Sequence, residues 1–464
     1  MKYAWEMERE LRDNAVPLDR RSHDSHWFES GFTAPTGDDL LNLFWSSTVP
    51  GSLAPEIVYQ DMVQSLENQG YDVREAAALL PEGIRLHKAG NTNELRALTA
   101  RLLEALWNAP VIPDHPYHNY TKFYDWDAIH QAMPAAAQRV ATAGWKTGYA
   151  DQIYQGWLGQ LAGGSFGTAI EGYTGEKIRQ VYGDVRSYIT PPDTKNDDVI
   201  YELVFLDVYE RMGRNITSEA IGLEWIRQIP FGWSAEWVAI RNMQMGIFPP
   251  ESGRFQNPFL DWIGVQMRAM ICGMLAPAQP LEAARLATID AVVSHSNNGI
   301  CGGIFAAVIT SLAFETHDLR ELLRATGDFL PAGSEYTAKY QFIMETLAKA
   351  DAPQRAWPLL SAHFEQYNWI HAYPNLAADA FALWYCNADF SQAMALLAQA
   401  GNDVDCNAGL VGTVLGIPFG VPDAWATPLN DTLETYIQGK ERLSIRELSA
   451  RTARLAEREA AKMV

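Results

Sequence analysis

Hydrophobic residues recur at helical spacing along most of this chain, and the alternation that is typical of strands is scarce. In one segment Val199, Leu203 and Leu206 lie three or four positions apart, which predicts an apolar stripe along one helix face. The clearest helical segments are residues 93–107, 199–212, 219–229, 281–293 and 381–400. No repeat of fixed period breaks this pattern, so the sequence predicts an all-α fold.

Proline and aromatic residues between positions 108 and 124 interrupt the helical pattern and predict an extended connector. Before the connector lies a pair of predicted helices, residues 55–70 and 93–107. Because a chain of 464 residues is longer than the chains that usually fold around a single core, we expect two domains. Residues 1–145 are predicted to form a helical N-terminal accessory region with a packing or lid role, and residues 146–464 to carry the chemistry.

Composition narrows the functional classes. The formal net charge of −20 argues against a basic surface that binds nucleic acid or an anionic membrane. The chain starts with a charged segment, and its longest apolar run, residues 300–314, is shorter than the roughly 18 residues of a membrane span. No CxxC pair occurs among the four cysteines, Cys272, Cys301, Cys386 and Cys406, which favours a reducing compartment. We therefore expect a cytoplasmic protein.

Two acidic runs stand where apolar helices are predicted to begin. The first is Asn196-Asp197-Asp198, and the second is Asp403-Val404-Asp405-Cys406-Asn407. One aspartate in each run is explained by helix capping. The remaining carboxylates repel one another unless a cation offsets their charge, and oxygen ligands of this kind suit Mg²⁺, Mn²⁺ or Ca²⁺. The two runs therefore predict the two halves of one divalent-metal site.

Glycine-rich segments accompany both the acidic runs and a single glutamate. Glu171 follows the glycines of residues 163–167, and Gly409, Gly412 and Gly416 share one face of the helix predicted after the second acidic run. Such glycines permit close helix packing or the approach of backbone to a ligand. By itself a glutamate such as Glu171 is more often a solvated surface residue than a catalytic one.

The order of these motifs resembles the ADP-ribosylglycohydrolase family, whose members are all-α hydrolases with a binuclear Mg²⁺ or Mn²⁺ centre. In that family a glycine-rich helix ends in a glutamate, a TDDT-type motif opens a later helix, and a DTDT-type motif opens one near the C-terminus. The counterparts here are GTAIEG at 167–172, NDDV at 196–199 and DVDC at 403–406. Further stretches are similar to a large bacterial branch of the family, at residues 249–269, 294–307, 369–375 and 427–433.

The resemblance implies roles for individual residues. Glu171 would act as the general base or align the attacking water, with Asp198 as the second catalytic residue. One or two ions of Mg²⁺ or Mn²⁺ would be held by Asn196, Asp197, Asp198, Asp403, Asp405 and Cys406. Substrate contacts are expected at His295, Asn298, Trp369, His371 and Asn375.

Several of these assignments have plain structural alternatives. His295 fits a hydrogen-bonded core position, and the aromatic residues around Trp369 fit the core. Arg254 fits a contact with an anionic group or a structural ion pair. Cys406 stands where the family has a metal-binding threonine, and a thiol is a poor ligand for Mg²⁺. One metal position is therefore expected to be weakened, altered in preference or empty. In the first acidic run, Asn196 and Val199 replace the flanking threonines, and Thr194, two residues before Asn196, offers a hydroxyl instead.

The expected function is a divalent-metal-dependent hydrolase of a ribosyl bond. Its substrate would be an ADP-ribosyl conjugate, including an ADP-ribosylated protein, or a small riboside. The alternative is an inactive protein that binds and senses a ribosyl ligand. The sequence leaves open the leaving group, the anomeric outcome and the oligomeric state.

Overall fold

Helices dominate the regular structure of this computed structural model, which describes residues 3–16, 37–139 and 144–462. In chain order the α-helices of these ranges are α1 (Ala4–Asn14), α2 (Asp38–Trp45), α3 (Val58–Asn68), α4 (Arg74–Lys88), α5 (Thr92–Trp107), α6 (Trp126–Ala132), α7 (Tyr149–Gly167), α8 (Gly175–Tyr182), α9 (Asp198–Met212), α10 (Ser218–Gln228), α11 (Ser234–Gln244), α12 (Met270–Leu275), α13 (Pro280–Ala291), α14 (Asn298–Ala313), α15 (Leu319–Gly327), α16 (Glu335–Lys349), α17 (Pro353–Phe364), α18 (Ala372–Tyr385), α19 (Phe390–Ala400), α20 (Val404–Phe419), α21 (Asp423–Ala426) and α22 (Ile445–Ala460). Short 3₁₀ helices cover Pro116–Asn119, Ala137–Arg139, Gly213–Asn215, Glu251–Gly253, Ile263–Val265 and Thr427–Leu429.

Strands are few and short in the described ranges. Strand β1 (Ser47–Thr48) pairs antiparallel with β2 (Pro55–Glu56), and β3 (Thr432–Glu434) pairs antiparallel with β4 (Arg442–Ser444). The prediction of an all-α fold is therefore confirmed. Among the described helices, none has the length and apolar character that crossing a membrane requires.

The chain divides into two compact units, residues 1–43 and residues 44–464. In the first unit, α1 has no buried residue and carries ion pairs between Arg9 and Asp13 and between Glu8 and Arg12. The second unit contains all the residues discussed below. A separate accessory domain ending at residue 145 stays a prediction.

Most of the predicted helices form with small shifts at their ends, and two predictions were wrong. Residues 381–400 are not one helix, because Asn387 and Ala388 adopt left-handed backbone conformations with φ of 53° and 60°. The Asp389 side chain then accepts a hydrogen bond from the backbone N–H of Gln392 and starts α19. Residues 55–70 begin with strand β2, so helix α3 starts only at Val58.

Helix α9 was expected to bury one stripe and instead is buried on nearly every face. Besides Val199 and Leu203, the intervening Ile200, Tyr201 and Val204 are also buried. A helix that is enclosed in this way lies inside the core rather than on its surface. Its first residues, which belong to the first acidic run, are therefore held by packing from several sides.

Helices α7 and α20 pack with their backbones in direct contact. A Cβ built at Gly163 would lie 1.8 Å from the carbonyl oxygen of Ala408, and one at Gly167 would lie 2.2 Å from Asp405 Cα. On α20, Gly412 meets the α7 backbone in the same way, whereas Gly409 has no atom nearer than 3.7 Å to its would-be Cβ. Glycine is required at the close positions, and the contact brings the end of α7 beside the start of α20.

Candidate active site

A cavity of about 390 Å³ lies at the ends of α7, α9 and α20. Its volume falls within the range of about 300–1,000 Å³ that is usual for ligand cavities. Among the described residues its lining contains one lysine, Lys195, and nine carboxyl side chains, which are Glu56, Asp61, Glu171, Asp193, Asp197, Asp198, Glu236, Asp403 and Asp405. The cavity is therefore strongly acidic.

The two acidic runs meet at one end of this cavity, although they are about 200 residues apart in the chain. Asn196 joins them, because its Nδ2 donates to Asp405 Oδ2 over 3.0 Å while its Oδ1 accepts from the backbone N–H of Asp198 over 2.8 Å. Asp403 precedes the first residue of α20, and Asp405 lies in the first turn of that helix. The structure thus brings the predicted metal-binding residues together.

Cys406 completes the cluster with a thiol. Its Sγ donates to Asp198 Oδ1 over 3.3 Å and lies 3.9 Å from Met267 Sδ. The ligand atoms of Asp403, Asp405 and Cys406 all lie within 4.8 Å of one another. Thr194 does not replace the missing hydroxyl, since its Oγ1 donates to the carbonyl oxygen of residue 432 and accepts from the N–H of residue 434.

Crowding of the carboxyl groups alters their acidity. Burial, reinforced by the neighbouring carboxylates, raises the pKa of Glu171, Asp198 and Asp403 well above its ordinary value. The same two causes raise the pKa of Asp197 to about 7. Burial also raises the pKa of Asp405. These groups would all ionise more readily beside a cation.

The donor set fits a divalent cation. One oxygen of Asp403 and one of Asp405, Oδ1 in each case, are buried and have no hydrogen-bond partner. A buried carboxylate oxygen without a partner is costly unless a donor or a cation satisfies it. Oxygen ligands of this kind suit Mg²⁺ or Mn²⁺, while the Cys406 thiol is the one ligand of softer character.

Glu171 is held beside the second acidic run by the backbone. The next residue, Gly172, has a φ of +75° and donates its N–H to the carbonyl oxygen of Asn402 over 3.0 Å. Together with the close contact between Gly167 and Asp405, this bond fixes the turn after α7 against the start of α20. Glu171 is partly exposed and lines the cavity.

Of the five predicted substrate-binding residues, only Trp369 lines the cavity. Asn375 is fully buried, and its Nδ2 donates to the carbonyl oxygens of Trp369 and His371 over 2.8 and 2.9 Å. Its Oδ1 accepts from the backbone N–H of Asp403 and from Asn407 Nδ2. Asn375 thus connects the loop of Trp369 to the loop before Asp403. Its side chain is buried and does not line the cavity, so this position favours a structural role over contact with substrate.

The other three predicted residues are also engaged inside the protein. His371 Nδ1 accepts from the N–H of Tyr373, and burial lowers the pKa of His371 to about 3. The backbone N–H of Asn298 donates to Asp261 Oδ1 over 3.1 Å. His295 is buried with Nδ1 only 2.8 Å from Ser294 Oγ, and burial lowers its pKa as well. All three are buried and none lines the cavity, which agrees with the core alternative for His295.

A buried arginine supports the wall from outside the cavity. The Arg268 guanidinium donates to Glu236 and Asp290, over 2.6 Å in each case, and to Ser294 Oγ over 2.9 Å. It also lies 4.9 Å from the ring centroid of Trp225. Because Glu236 lines the cavity, this ion-pair network fixes one carboxyl group of the wall.

Arg254 lies elsewhere and forms an ion pair. It binds Glu251, and its guanidinium lies 5.2 Å from the ring centroid of Tyr124. The cavity lining does not include Arg254. Of the two interpretations made from the sequence, the structural ion pair is the one that these contacts favour.

Sequence reasoning missed much of the lining. Aromatic walls come from Phe44, Phe231, Trp233, Trp237, Phe259, Trp262 and Tyr436. The segment FGWSAEW at 231–237 holds three of these rings within seven positions, which could have marked it. Glu56 and Asp61 also line the cavity, and they come from the predicted accessory region, where no sequence pattern pointed to them.

The acidic cluster and the flanking Glu171 thus line one cavity of an all-α fold. Residues 146–461 match the ADP-ribosylglycohydrolase family, and the chain belongs to that family. Membership makes the chain a glycosidase-type hydrolase. It gives no support to the alternative of an inactive ligand-binding protein.

Two further comparisons agree with this membership. An uncharacterized protein of Archaeoglobus fulgidus is 24% identical over an alignment of 309 residues, and the match covers 59% of this chain and 90% of that protein. A solved structure described as an ADP-ribosylglycohydrolase-related protein complex is similar with a TM-score of 0.50 and 19% identity. The similarity covers 67% of this chain and 99% of the other, and it shows the fold alone.

Proposed function

We propose that this protein is a divalent-metal-dependent hydrolase that cleaves an N- or O-glycosidic bond of ribose, with Glu171 as the general base or the residue that aligns the water. The observation that carries the proposal is that Glu171 lines the same cavity as Asp197, Asp198, Asp403 and Asp405. The substrate would be an ADP-ribosyl conjugate or a small riboside. Four free cysteines support action in the reducing cytoplasm.

The four aspartates would hold one or two ions of Mg²⁺ or Mn²⁺. Such an ion, when bound, orients sugar hydroxyl groups and makes bound water more acidic. The protein itself contributes a fixed frame, because Asn196 links Asp198 to Asp405 and the turn after Glu171 is bonded to the loop before Asp403. This frame limits the movement of the charged groups during turnover.

Glu171 would perform the proton transfer. Cleavage at C1′ of ribose passes through a state with oxocarbenium character, and water must approach C1′ as the leaving group departs. An ionised Glu171 accepts a proton from that water. Its raised pKa favours the neutral carboxyl group in the metal-free protein, and a nearby cation favours the ionised form that this role needs.

Hydrolysis assays with and without a metal test the proposal. Purified protein is freed of metal with a chelator and then assayed with Mg²⁺ or Mn²⁺ on ADP-ribosyl-arginine, ADP-ribosyl-serine, ADP-ribose and simple nucleosides. The Glu171→Gln variant should fold normally and lose about 100-fold or more of its turnover. The Glu176→Gln variant is a matched control, since Glu176 is exposed on α8. Full activity of Glu171→Gln, or full activity without metal, would refute the proposal.

A further inference from the structure

The cavity has a second acidic pair, Glu56 and Asp61, that lies outside the residues matched to the family. Glu56 belongs to strand β2, and its Oε2 accepts from Ser47 Oγ over 3.0 Å. Asp61 lies on α3 and is only 7% exposed. Its Oδ1 accepts from Asn368 Nδ2 over 2.9 Å, whereas its Oδ2 is buried and has no hydrogen-bond partner. An acceptor in this state is costly to bury unless a donor reaches it.

Close contacts fix this pair against the rest of the site. A Cβ at Gly51 would lie 2.3 Å from Thr168 Cγ2, so the turn between β1 and β2 lies directly on the end of α7. Tyr173, two residues after Glu171, donates its hydroxyl to the carbonyl oxygen of Ser52 over 3.2 Å. The segment from residue 49 to residue 61 therefore forms a wall of the cavity, and these contacts hold it beside Glu171.

Asn368 holds the other side of the pair. Its Nδ2 donates to Asp61 Oδ1 and, over 3.1 Å, to Gln64 Oε1, which also lies on α3. The residue after Asn368 is Trp369, whose ring lines the cavity. The hydrogen bonds of Asn368 therefore hold Asp61 beside the loop that carries Trp369. Asp61 and Trp369 both line the cavity, so one ligand can contact both residues.

The charge of the lining determines which ligand groups the cavity accepts beside Glu56 and Asp61. Within the described lining Lys195 is the one cationic side chain, whereas binding of phosphate or pyrophosphate in proteins commonly relies on arginine, lysine or a free helix N-terminus. Here an acidic residue occupies the first turn of each of three helices that begin at the cavity: Asp198 in α9, Glu236 in α11 and Asp405 in α20. Metal ions bound to the first cluster would leave Glu56 and Asp61 without a cationic partner. An anionic group is disfavoured beside them, and an N–H donor is favoured.

The aromatic side chains add a preference for shape. Trp237, Trp262 and Trp369 line the cavity together with Phe44. Phe44 packs edge-on against Trp237, with ring centroids 4.7 Å apart, so these two rings support each other. Walls of this kind bind flat rings by stacking.

We propose that Glu56 and Asp61 form the leaving-group subsite for a small riboside that lacks phosphate and whose leaving group is a flat ring with an N–H donor. This inference rests on the proposed function, because it takes the ribose to be held at the first acidic cluster. In the reaction the oxygen of water bonds to C1′ while the bond from C1′ to the ring nitrogen breaks. The ring nitrogen keeps the electron pair, and the proton that Glu171 takes from water is returned to the departing ring.

The test compares nucleosides that differ in one donor or one phosphate. Adenosine and purine riboside differ by an exocyclic amino group, and so do cytidine and its analogue without that group. We expect kcat/KM for at least one amino nucleoside to exceed that of its analogue by about tenfold or more, the effect of giving a partner to a buried acceptor that otherwise has none. Adenosine should also exceed its 5′-monophosphate and ADP-ribose by at least about tenfold, because the lining repels anions.

Substitutions of Glu56 and Asp61 test whether these two residues cause the preference for the amino nucleoside. Asp61→Asn and Glu56→Gln should each lower the ratio between the amino nucleoside and its analogue toward one, while Glu67→Gln, an exposed position on the same helix α3, should leave the ratio unchanged. A ratio is informative here because general damage to the fold would lower both rates together. An unchanged ratio in both subsite variants would overturn the inference.

The failure of this inference can be told apart from failure of the proposed function. Binding is measured in the Glu171→Gln variant through quenching of the cavity tryptophans, with the same nucleosides and a divalent metal. Faster cleavage of ADP-ribosyl substrates than of nucleosides overturns the subsite and leaves the hydrolase in place. Binding that depends on Asp61, without turnover of any riboside, supports the subsite and overturns the hydrolase. Absence of both overturns both.

Discussion

Replacing Gly163 by alanine should separate the two helices that carry the site. The new Cβ would lie 1.8 Å from the carbonyl oxygen of Ala408, about 1.6 Å short of the 3.4 Å at which ordinary contact begins. The obstructing atom belongs to the backbone, so no side-chain rotation relieves the overlap. Helices α7 and α20 must move apart, and with them Glu171 and Asp405.

The magnitude follows from two opposing effects. Alanine is preferred over glycine inside a helix by about 0.5–1 kcal/mol, which favours the variant. Overpacking costs typically about 1–3 kcal/mol and more when backbone is displaced. We therefore expect the free energy of unfolding of Gly163→Ala to fall by about 2 kcal/mol or more, a large share of the about 5–15 kcal/mol of a native protein.

The neighbouring residue supplies the control. A Cβ at Gly164 would have as its nearest neighbour Asn196 Nδ2, at 3.7 Å, so Gly164→Ala should be neutral or slightly more stable. Urea unfolding followed by tryptophan fluorescence compares the two variants, and calorimetric titration with Mg²⁺ reports on the site. Gly163→Ala should bind Mg²⁺ at least about tenfold more weakly, a loss of about 1.4 kcal/mol. Equal unfolding midpoints and equal Mg²⁺ affinities in the two variants would refute the close packing.

Four further outcomes are expected. Cys406→Thr replaces a thiol with a hydroxyl beside the acidic cluster and should raise Mg²⁺ affinity by about tenfold in calorimetric titration, since Mg²⁺ prefers oxygen ligands; weaker binding would contradict this reasoning. Because the pKa of Asp197 is raised to about 7 from 3.8, the folded metal-free protein holds a proton that the unfolded chain releases, so its stability should decline as pH rises from about 4 through about 7. Over the same pH range, added Mg²⁺ should raise the melting temperature by a larger amount at higher pH, because protons compete less with the metal for Asp197. If the increase caused by Mg²⁺ is the same at every pH, Asp197 is not a ligand. Arg268→Met leaves Glu236 and Asp290 buried without their cation and should cost about 3–5 kcal/mol in urea unfolding, and a fully stable variant would refute the structural role of this network.

The helical fold could be predicted because helical periodicity is a local property of the sequence. Residues 93–107 illustrate this, since their apolar spacing alone locates α5. The break between α18 and α19 could not be predicted, because Ala388 adopts a positive φ that alanine rarely shows. The full burial of α9 depends on partners from distant parts of the chain and leaves little trace in its own periodicity.

The acidic cluster could also be predicted, because adjacent aspartates such as Asp197 and Asp198 are unfavourable without a cation and therefore mark a site. The residues that contact substrate are harder to predict from the sequence. From the sequence, a residue that lines the cavity, as Trp369 does, looks the same as one that completes internal hydrogen bonds, as Asn375 does. Asp61 reaches the cavity only through tertiary packing, so its sequence context carries no sign of that position.

The hydrogen bond between Asn196 and Asp405 spans 209 positions of the chain. During synthesis from the N-terminus, the first acidic run therefore emerges long before its partner exists. A growing chain that already holds Asp197 and Asp198 lacks the other two aspartates of the cluster until α20 has been made. Under the proposed function, binding of the metal must therefore follow the synthesis of α20, because a chain that stops before residue 403 lacks Asp403 and Asp405.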